Sequence, residues 1–285
     1  MPELPEVETI RGDLEKEIVG KKILTVEILK NKIVKGNNKL FVAFLAGKNF
    51  LKINRIGKLL YLRISGREKK YLLIHLKMTG QLVYKGKKMI AGGHPTKNFM
   101  ELPNKHTRVI FTFSDKAKLY FNDMRQFGYL ELVDEERLAM IKERYGIEPL
   151  QKNFVFSDFV KIFKKRSAPV KAVLLNQQLV SGIGNIYADE ILFVSGVMPD
   201  RKALSLTDSE LKKIFKAAEM IISKAIKERG TTFSDYRDAR GQKGGYVKFL
   251  RVYGRAGKKC YKCGSTIKRK RVAGRGTSYC DKCQK

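Results

Sequence analysis

The feature that most restricts this chain lies at its end. All four of its cysteines fall in the last 26 residues, as Cys260-x2-Cys263 and Cys280-x2-Cys283, with 16 residues between the pairs. A pair at this spacing sits on one tight turn, and two such turns converge as four thiolates around a tetrahedral zinc ion. With every ligand position filled by protein, such a site is closed and structural. Zinc binding is then folding free energy, on the order of 10–16 kcal/mol in isolated finger peptides. Four reduced thiols without metal are the other reading. A disulfide staple is disfavoured because cytosolic thiols stay reduced. The span between the pairs carries Lys268, Arg269, Lys270, Arg271 and Arg275, so a small basic hairpin able to grip phosphates is expected.

The whole chain shares this basic character. Lys and Arg number 59 against 28 Asp and Glu, a net charge of +31. A field this strong attracts polyanions: nucleic acid first, an anionic membrane surface second. A solubility adaptation or a Lys-rich compositional bias is the bland explanation. The length of 285 residues suggests two domains, and 43% apolar content is enough for real cores. The first 20 residues hold five Glu and one Asp, unlike a basic-then-apolar export signal. No stretch approaches the ~18 apolar residues of a spanning helix. The expected location is the cytoplasm, in association with the nucleoid, with no membrane partner.

Leu4, Val7, Ile10, Leu14 and Ile18 recur at helical spacing, so residues 3–20 read as one amphipathic helix stopped near Gly20. Short β-rich runs follow at 23–29, 58–64, 71–76, 108–113 and 118–121. No long helical segment interrupts them, which favours an antiparallel sandwich or barrel over a parallel α/β sheet. Residues 85–105 read as a long polar loop. After about 134 the pattern turns helical. Ser157 is a candidate cap for a helix to about 166, and Thr207 with Glu210 fits a capping box opening a helix that ends at Gly230. Residues 231–250 have the polar, Gly-rich composition of a mobile loop.

The opening Met1-Pro2-Glu3-Leu4-Pro5-Glu6 carries possible chemistry. Once the initiator Met is removed, Pro2 has a free secondary amine that can attack an acetal carbon and form an iminium. With Met1 attached, that nitrogen is an inert amide. Glu3 and Glu6 lie one helical turn apart, so one can protonate a leaving sugar oxygen while the other orients the amine. Pro and acids at a helix start are also ordinary N-terminal residues. Further along, Gly182 and Gly184 permit a tight turn before a helix, where backbone N–H groups and the Asn185 amide can face a phosphate. A plain helix cap is the alternative there. His75, His94 and His106 are too scattered for a metal set and read as core or loop histidines.

The opening MPELPEVETIR resembles the N-terminus of bacterial formamidopyrimidine-DNA glycosylases. RIGKLLYL (55–62), NDMRQFGYLEL (122–132), GIGNIYADEILF (182–193), GTTFSDYRDARGQKGGYVKFLRVYGR (230–255) and RGTSYCDKCQ (275–284) resemble the family's remaining blocks, in its order. The resemblance covers essentially the whole chain. It implies an α+β fold: an N-terminal antiparallel β-sandwich with flanking helices (1–133), a linker (134–150), a helix-two-turn-helix domain (151–255) with a lesion-capping loop at 231–250, and a β-hairpin zinc finger with four cysteine ligands (256–285).

It also implies roles. Pro2 is the nucleophile, Glu3 the general acid and Glu6 a supporting carboxylate. Lys58, Asn185 and Arg275 contact phosphates, and Lys171 is similar in setting to another phosphate-contacting lysine. Met78, Arg125 and Phe127 fill the hole left by an extruded base. Cys260, Cys263, Cys280 and Cys283 hold one structural Zn2+. The expected partner is double-stranded DNA carrying oxidised purines, bound by a monomer. Leu4 and the 231–250 segment favour this branch over relatives that prefer oxidised pyrimidines. A non-catalytic zinc-ribbon DNA-binding protein is the alternative from another class. Three departures stand out: Lys77 replaces the glycine usual before the wedge Met, Met124 and Gln126 replace the usual Pro and Arg beside Arg125, and the 85–105 loop is longer.

Overall fold

The computed structural model describes residues 1–87, 89–93, 101–231 and 244–285. The chain forms two compact units, Met1–Glu143 with Arg229–Gly244, and Arg144–Glu228 with Gly245–Lys285.

The first unit opens with α1 (Leu4–Ile18). Leu4, Val7, Ile10, Leu14 and Ile18 are all buried, as their spacing predicts. Among the described residues ten strands follow in chain order: β1 (Ile23–Ile28), β2 (Val34–Lys35), β3 (Phe50–Ile56), β4 (Leu59–Ile64), β5 (Lys70–His75), β6 (Gly80–Lys85), β7 (Met89–Gly93), β8 (Thr107–Phe113), β9 (Lys118–Asp123) and β10 (Tyr129–Asp134). They make two five-stranded sheets, ordered β1-β8-β9-β6-β7 and β2-β10-β5-β4-β3. Every pairing is antiparallel except the short β2–β10 contact, which is parallel. One core lies between the sheets and under α1, with Phe50, Leu62 and Leu72 from one sheet and Phe111, Phe113 and Phe121 from the other. Phe50 meets Phe111 and Phe113 edge-on, at 6.2 and 6.4 Å between ring centres. Each such buried side chain contributes about 1.5–3 kcal/mol. The architecture is the expected sandwich rather than a barrel.

Two short helices interrupt or extend the strand region. Asn37 caps α2 (Asn38–Leu45) by accepting the N–H groups of Lys39 and Leu40. Asp134 caps α3 (Glu135–Lys142) by accepting the Arg137 N–H, so the first half of the expected linker is helical. Within the expected 85–105 loop, β7 pairs with β6 through Tyr84 and Ile90; residues 94–100, including His94, lie outside the described residues.

The second unit contains α4 (Phe156–Lys164), α5 (Val170–Leu175), α6 (Asn185–Ser195), α7 (Asp208–Lys227) and a hairpin of β11 (Lys268–Val272) and β12 (Arg275–Tyr279). Ser157 is not the cap of α4 but lies inside it: the cap position is two residues earlier, at Val155, which makes no side-chain cap bond. Aromatic packing sets that start instead, since Phe159 and Phe163 are buried and Phe156 packs edge-on against Phe215 of α7. The Thr207–Glu210 capping box of α7 is present as expected. α5 and α6 are joined by residues 176–184, which turn at 177–179 and again at Gly182. Most of the expected 231–250 loop lies outside the described residues, and Tyr246–Phe249 form a 3-10 helix. Among the described residues no helix is long and apolar enough to cross a membrane.

Candidate functional site

Pro2 and Glu3 are both buried at the head of α1, with Glu3 only 3% exposed. Glu6 holds this corner. One carboxylate oxygen, Oε2, accepts the Glu3 backbone N–H at 2.8 Å. The other, Oε1, accepts the Thr231 N–H at 2.7 Å and its hydroxyl at 3.0 Å. Glu3 and Glu6 therefore form a reciprocal capping box, while Glu6 also reaches the chain just past α7. Gly230 permits that approach, because a Cβ there would come within 2.6 Å of Glu6 Oε1. Arg229 seats the same stretch by an ion pair to Asp13 of α1 at 2.5 Å.

Lys58 is 5% exposed and lies in the two-residue turn between β3 and β4. The next residue, Leu59, pairs with His75 across the sheet. His75 stacks on Tyr129 at 5.7 Å, and its Nδ1 accepts the Lys77 N–H at 3.0 Å. Burial, then the charges of Lys77, Lys58 and Lys35, push its pKa down to about 3. The ring is thus neutral with its proton on Nε2, a donor beside a lysine. His75 has the partners expected of a core or loop histidine, but its place beside Lys58 comes only from the β4–β5 register.

Met78, Arg125 and Phe127 come together from two turns. Arg125 Nη1 lies 3.2 Å from Met78 Sδ, and its guanidinium carbon lies 4.5 Å from the centre of the Phe127 ring. Met78 is 38% and Phe127 52% exposed, so this apolar cluster faces solvent. Two of the departures noted above flank it in left-handed backbone, Lys77 at φ 49 and Gln126 at φ 56. A lysine there carries strain that glycine would not, about 1 kcal/mol. Lys77→Gly is expected to raise the melting temperature by about 1–3 °C in calorimetry; a lower melting temperature would contradict the strain argument.

In the second unit, Asn185 begins α6 and its Nδ2 donates to the Gly276 carbonyl at 3.1 Å, next to Arg275. Arg275 itself is exposed at the start of β12. Lys171 sits differently from the expectation. It is wholly buried, with Nζ 2.6 Å from Asp189 and 2.7 Å from Thr277 Oγ1. A buried ammonium needs such a partner to remain charged, so this lysine ties α5 to α6 and to the hairpin. Asp189 accepts the Ser278 N–H at 2.9 Å as well. Of the basic hairpin residues, Lys268 pairs with Asp281 and Lys270 with Asp200, each at 2.6 Å. Arg271 and Arg275 are exposed.

The four cysteine Sγ atoms lie within 4.8 Å of one another, with Cys260 and Cys283 3.9 Å apart and Cys263 and Cys280 3.5 Å apart. A tetrahedron with Zn–S bonds of ~2.3 Å has edges of ~3.8 Å, so the spacing fits the ion.

Family models cover nearly the whole chain: the formamidopyrimidine-DNA glycosylase N-terminal domain matches residues 1–130, the H2TH domain of the same enzymes residues 145–237, and the zinc finger found in FPG and IleRS residues 257–285. The chain belongs to the formamidopyrimidine-DNA glycosylase family. A family member from Pelotomaculum thermopropionicum is 42% identical over 100% of this chain and 99% of its own, and one from Listeria monocytogenes is 38% identical over 100% of both. Among solved structures, the Lactococcus lactis Fpg in complex with abasic-site DNA is 34% identical with a TM-score of 0.88, covering 99% of each chain. The same Lactococcus protein has been crystallised with DNA containing an oxidised pyrimidine, at a TM-score of 0.86.

Membership over the full length rules out a stand-alone zinc ribbon. In this family member the closing cysteines hold one structural zinc ion, which fixes the hairpin. Sequence reasoning passed over Asp189, Thr231 and the setting of His75. Asp189 and Thr231 become visible only through contacts with Lys171 and Glu6, far away in the chain.

Proposed function

We propose that this protein is a bifunctional DNA glycosylase and AP lyase of base excision repair. It flips oxidised purines, 8-oxoguanine and formamidopyrimidines, out of double-stranded DNA and excises them. The observation that carries this reading is the buried corner at the head of α1, where Pro2 and Glu3 are adjacent and Glu6 fixes the Glu3 backbone.

With Met1 removed, the Pro2 nitrogen attacks C1′ of the damaged nucleotide as the N-glycosidic bond breaks, and Glu3 supplies a proton that helps open the deoxyribose. The base leaves and an iminium joins Pro2 to the sugar. The iminium acidifies the neighbouring C2′–H; loss of that proton expels the 3′ phosphate, and a second elimination expels the 5′ phosphate. Water then releases the sugar remnant and regenerates the amine. Lys58, Asn185 and Arg275 hold phosphates. Met78 and Phe127 wedge into the stack and Arg125 engages the base left without a partner, offsetting the few kcal/mol of lost stacking. The zinc ion supplies folding energy to the hairpin and takes no part in the reaction. The enzyme works as a monomer on nucleoid DNA.

Borohydride trapping tests the reading. A covalent adduct is expected on a duplex containing 8-oxoguanine, with much less on one containing thymine glycol and none on undamaged DNA. Stronger trapping on thymine glycol would reverse the substrate assignment, the alternative that the Lactococcus complex with oxidised-pyrimidine DNA makes worth measuring. Absence of any adduct would refute the Schiff-base chemistry.

A further inference from the structure

The exposed Met78–Arg125–Phe127 cluster rests on a buried group with no assigned role. Asp123, at the end of β9, is wholly buried. Its Oδ1 accepts the Thr79 hydroxyl and the Arg125 N–H, the latter at 3.2 Å. Its Oδ2 accepts the Gly128 N–H at 2.7 Å. The Arg125 N–H is shared with Thr79 Oγ1 at 3.0 Å. These donors come from both turns of the cluster: Thr79 follows Met78, Arg125 is itself a member, and Gly128 follows Phe127. Arg108 braces the aspartate from behind, donating Nε to its carbonyl oxygen at 2.8 Å. The 123–128 turn has no room to relax inward, since a Cβ on Gly128 would lie 2.8 Å from Phe121 Cζ and 2.9 Å from the His75 carbonyl oxygen.

We propose that Asp123, with Thr79, is a positioning residue that sets the two turns before DNA arrives, so that the cluster enters the stack without first being ordered. A carboxylate suits the task because it only accepts, and every group aimed at it donates. Preorganised insertion groups speed extrusion by removing an ordering step from the path. The proposal rests on the reading of Met78, Arg125 and Phe127 as the void-filling set.

Asp123→Asn keeps the size but aims an N–H2 group at a turn N–H, and Thr79→Val keeps the shape but removes the hydroxyl. Each variant is assayed on two substrates: 8-oxoguanine in a duplex, which requires extrusion, and a preformed abasic site in single-stranded DNA, which has no opposite base to replace. Single-turnover excision from the duplex is expected to fall about 10–100-fold in both variants, with single-stranded cleavage within about twofold of wild type. Fluorescence of 2-aminopurine placed opposite an abasic analogue should rise on wild-type binding and rise less with either variant. Equal losses on both substrates would show a general scaffold role and overturn the proposal. So would unchanged duplex excision. Wild-type inactivity on both substrates would instead sink the enzyme reading and this proposal with it, a pattern distinct from either of the others.

Discussion

A form of the protein extended by Gly-Ser ahead of Pro2 is expected to bind lesion-bearing DNA normally and to lose excision by more than about 1000-fold, because an amide nitrogen cannot form an iminium. Pro2 keeps its place at the start of α1 in such a chain, so its folding is unaffected. Glu3→Gln separates the two chemical roles. Its side-chain oxygen still accepts the N–H at the helix start, preserving the cap seen in the structure, but the proposed proton donor is gone. Base release should fall by about 100- to 10,000-fold, while cleavage at a preformed abasic site, which needs the amine more than the acid, falls less. Gel assays on 8-oxoguanine and abasic duplexes, with borohydride trapping in parallel, read both. Full excision by the extended form would end the case for Pro2.

Replacing Cys280 by Ser is the second large effect. Cys280 and Cys260 are buried among Phe193, Val252 and Ile267, so the metal knuckle and α6 share a small core. Zinc contributes on the order of 10–16 kcal/mol in isolated fingers, comparable to the whole stability of an ordinary domain. Without it the hairpin should unravel, and with it the support of Arg275 and of the Gly276 carbonyl that holds Asn185. Metal analysis should show about one zinc lost per chain, and anisotropy with a labelled duplex should show affinity down by more than about 100-fold at fixed salt. A zinc-free variant that binds within about twofold of wild type would mean the hairpin folds without metal.

What could be read from residues alone followed the strength of each local signal. The α1 stripe and the Thr207–Glu210 box specify their helices without help from distant parts, and both are present. The metal site follows from spacing. α3 was hidden because only Leu138 of its residues is buried, leaving no apolar stripe. β3 was hidden for a related reason: of its residues only Phe50 and Ile53 are buried, and they do not alternate. In the site, Met78 joins Arg125 and Phe127 because β6 pairs with β9, bringing Gly80 opposite Asp123; no local pattern announces that register. Lys171 illustrates the opposite problem. A lysine in the first turn of a short apolar helix carries no local sign of burial, and only the Asp189 carboxylate makes that burial tolerable.

That pair also constrains how the protein can change over generations. Losing either Lys171 or Asp189 alone strands a charge in the interior, so neither site can drift by itself. A double change to apolar residues is blocked in turn, because the Ser278 N–H would then need a new acceptor. Two positions on two separate helices are therefore bound to a common fate, and because Asp189 also holds the hairpin backbone at residue 278, the metal knuckle cannot be exchanged for another family's as a detachable cassette unless the helices beneath it are rewritten too.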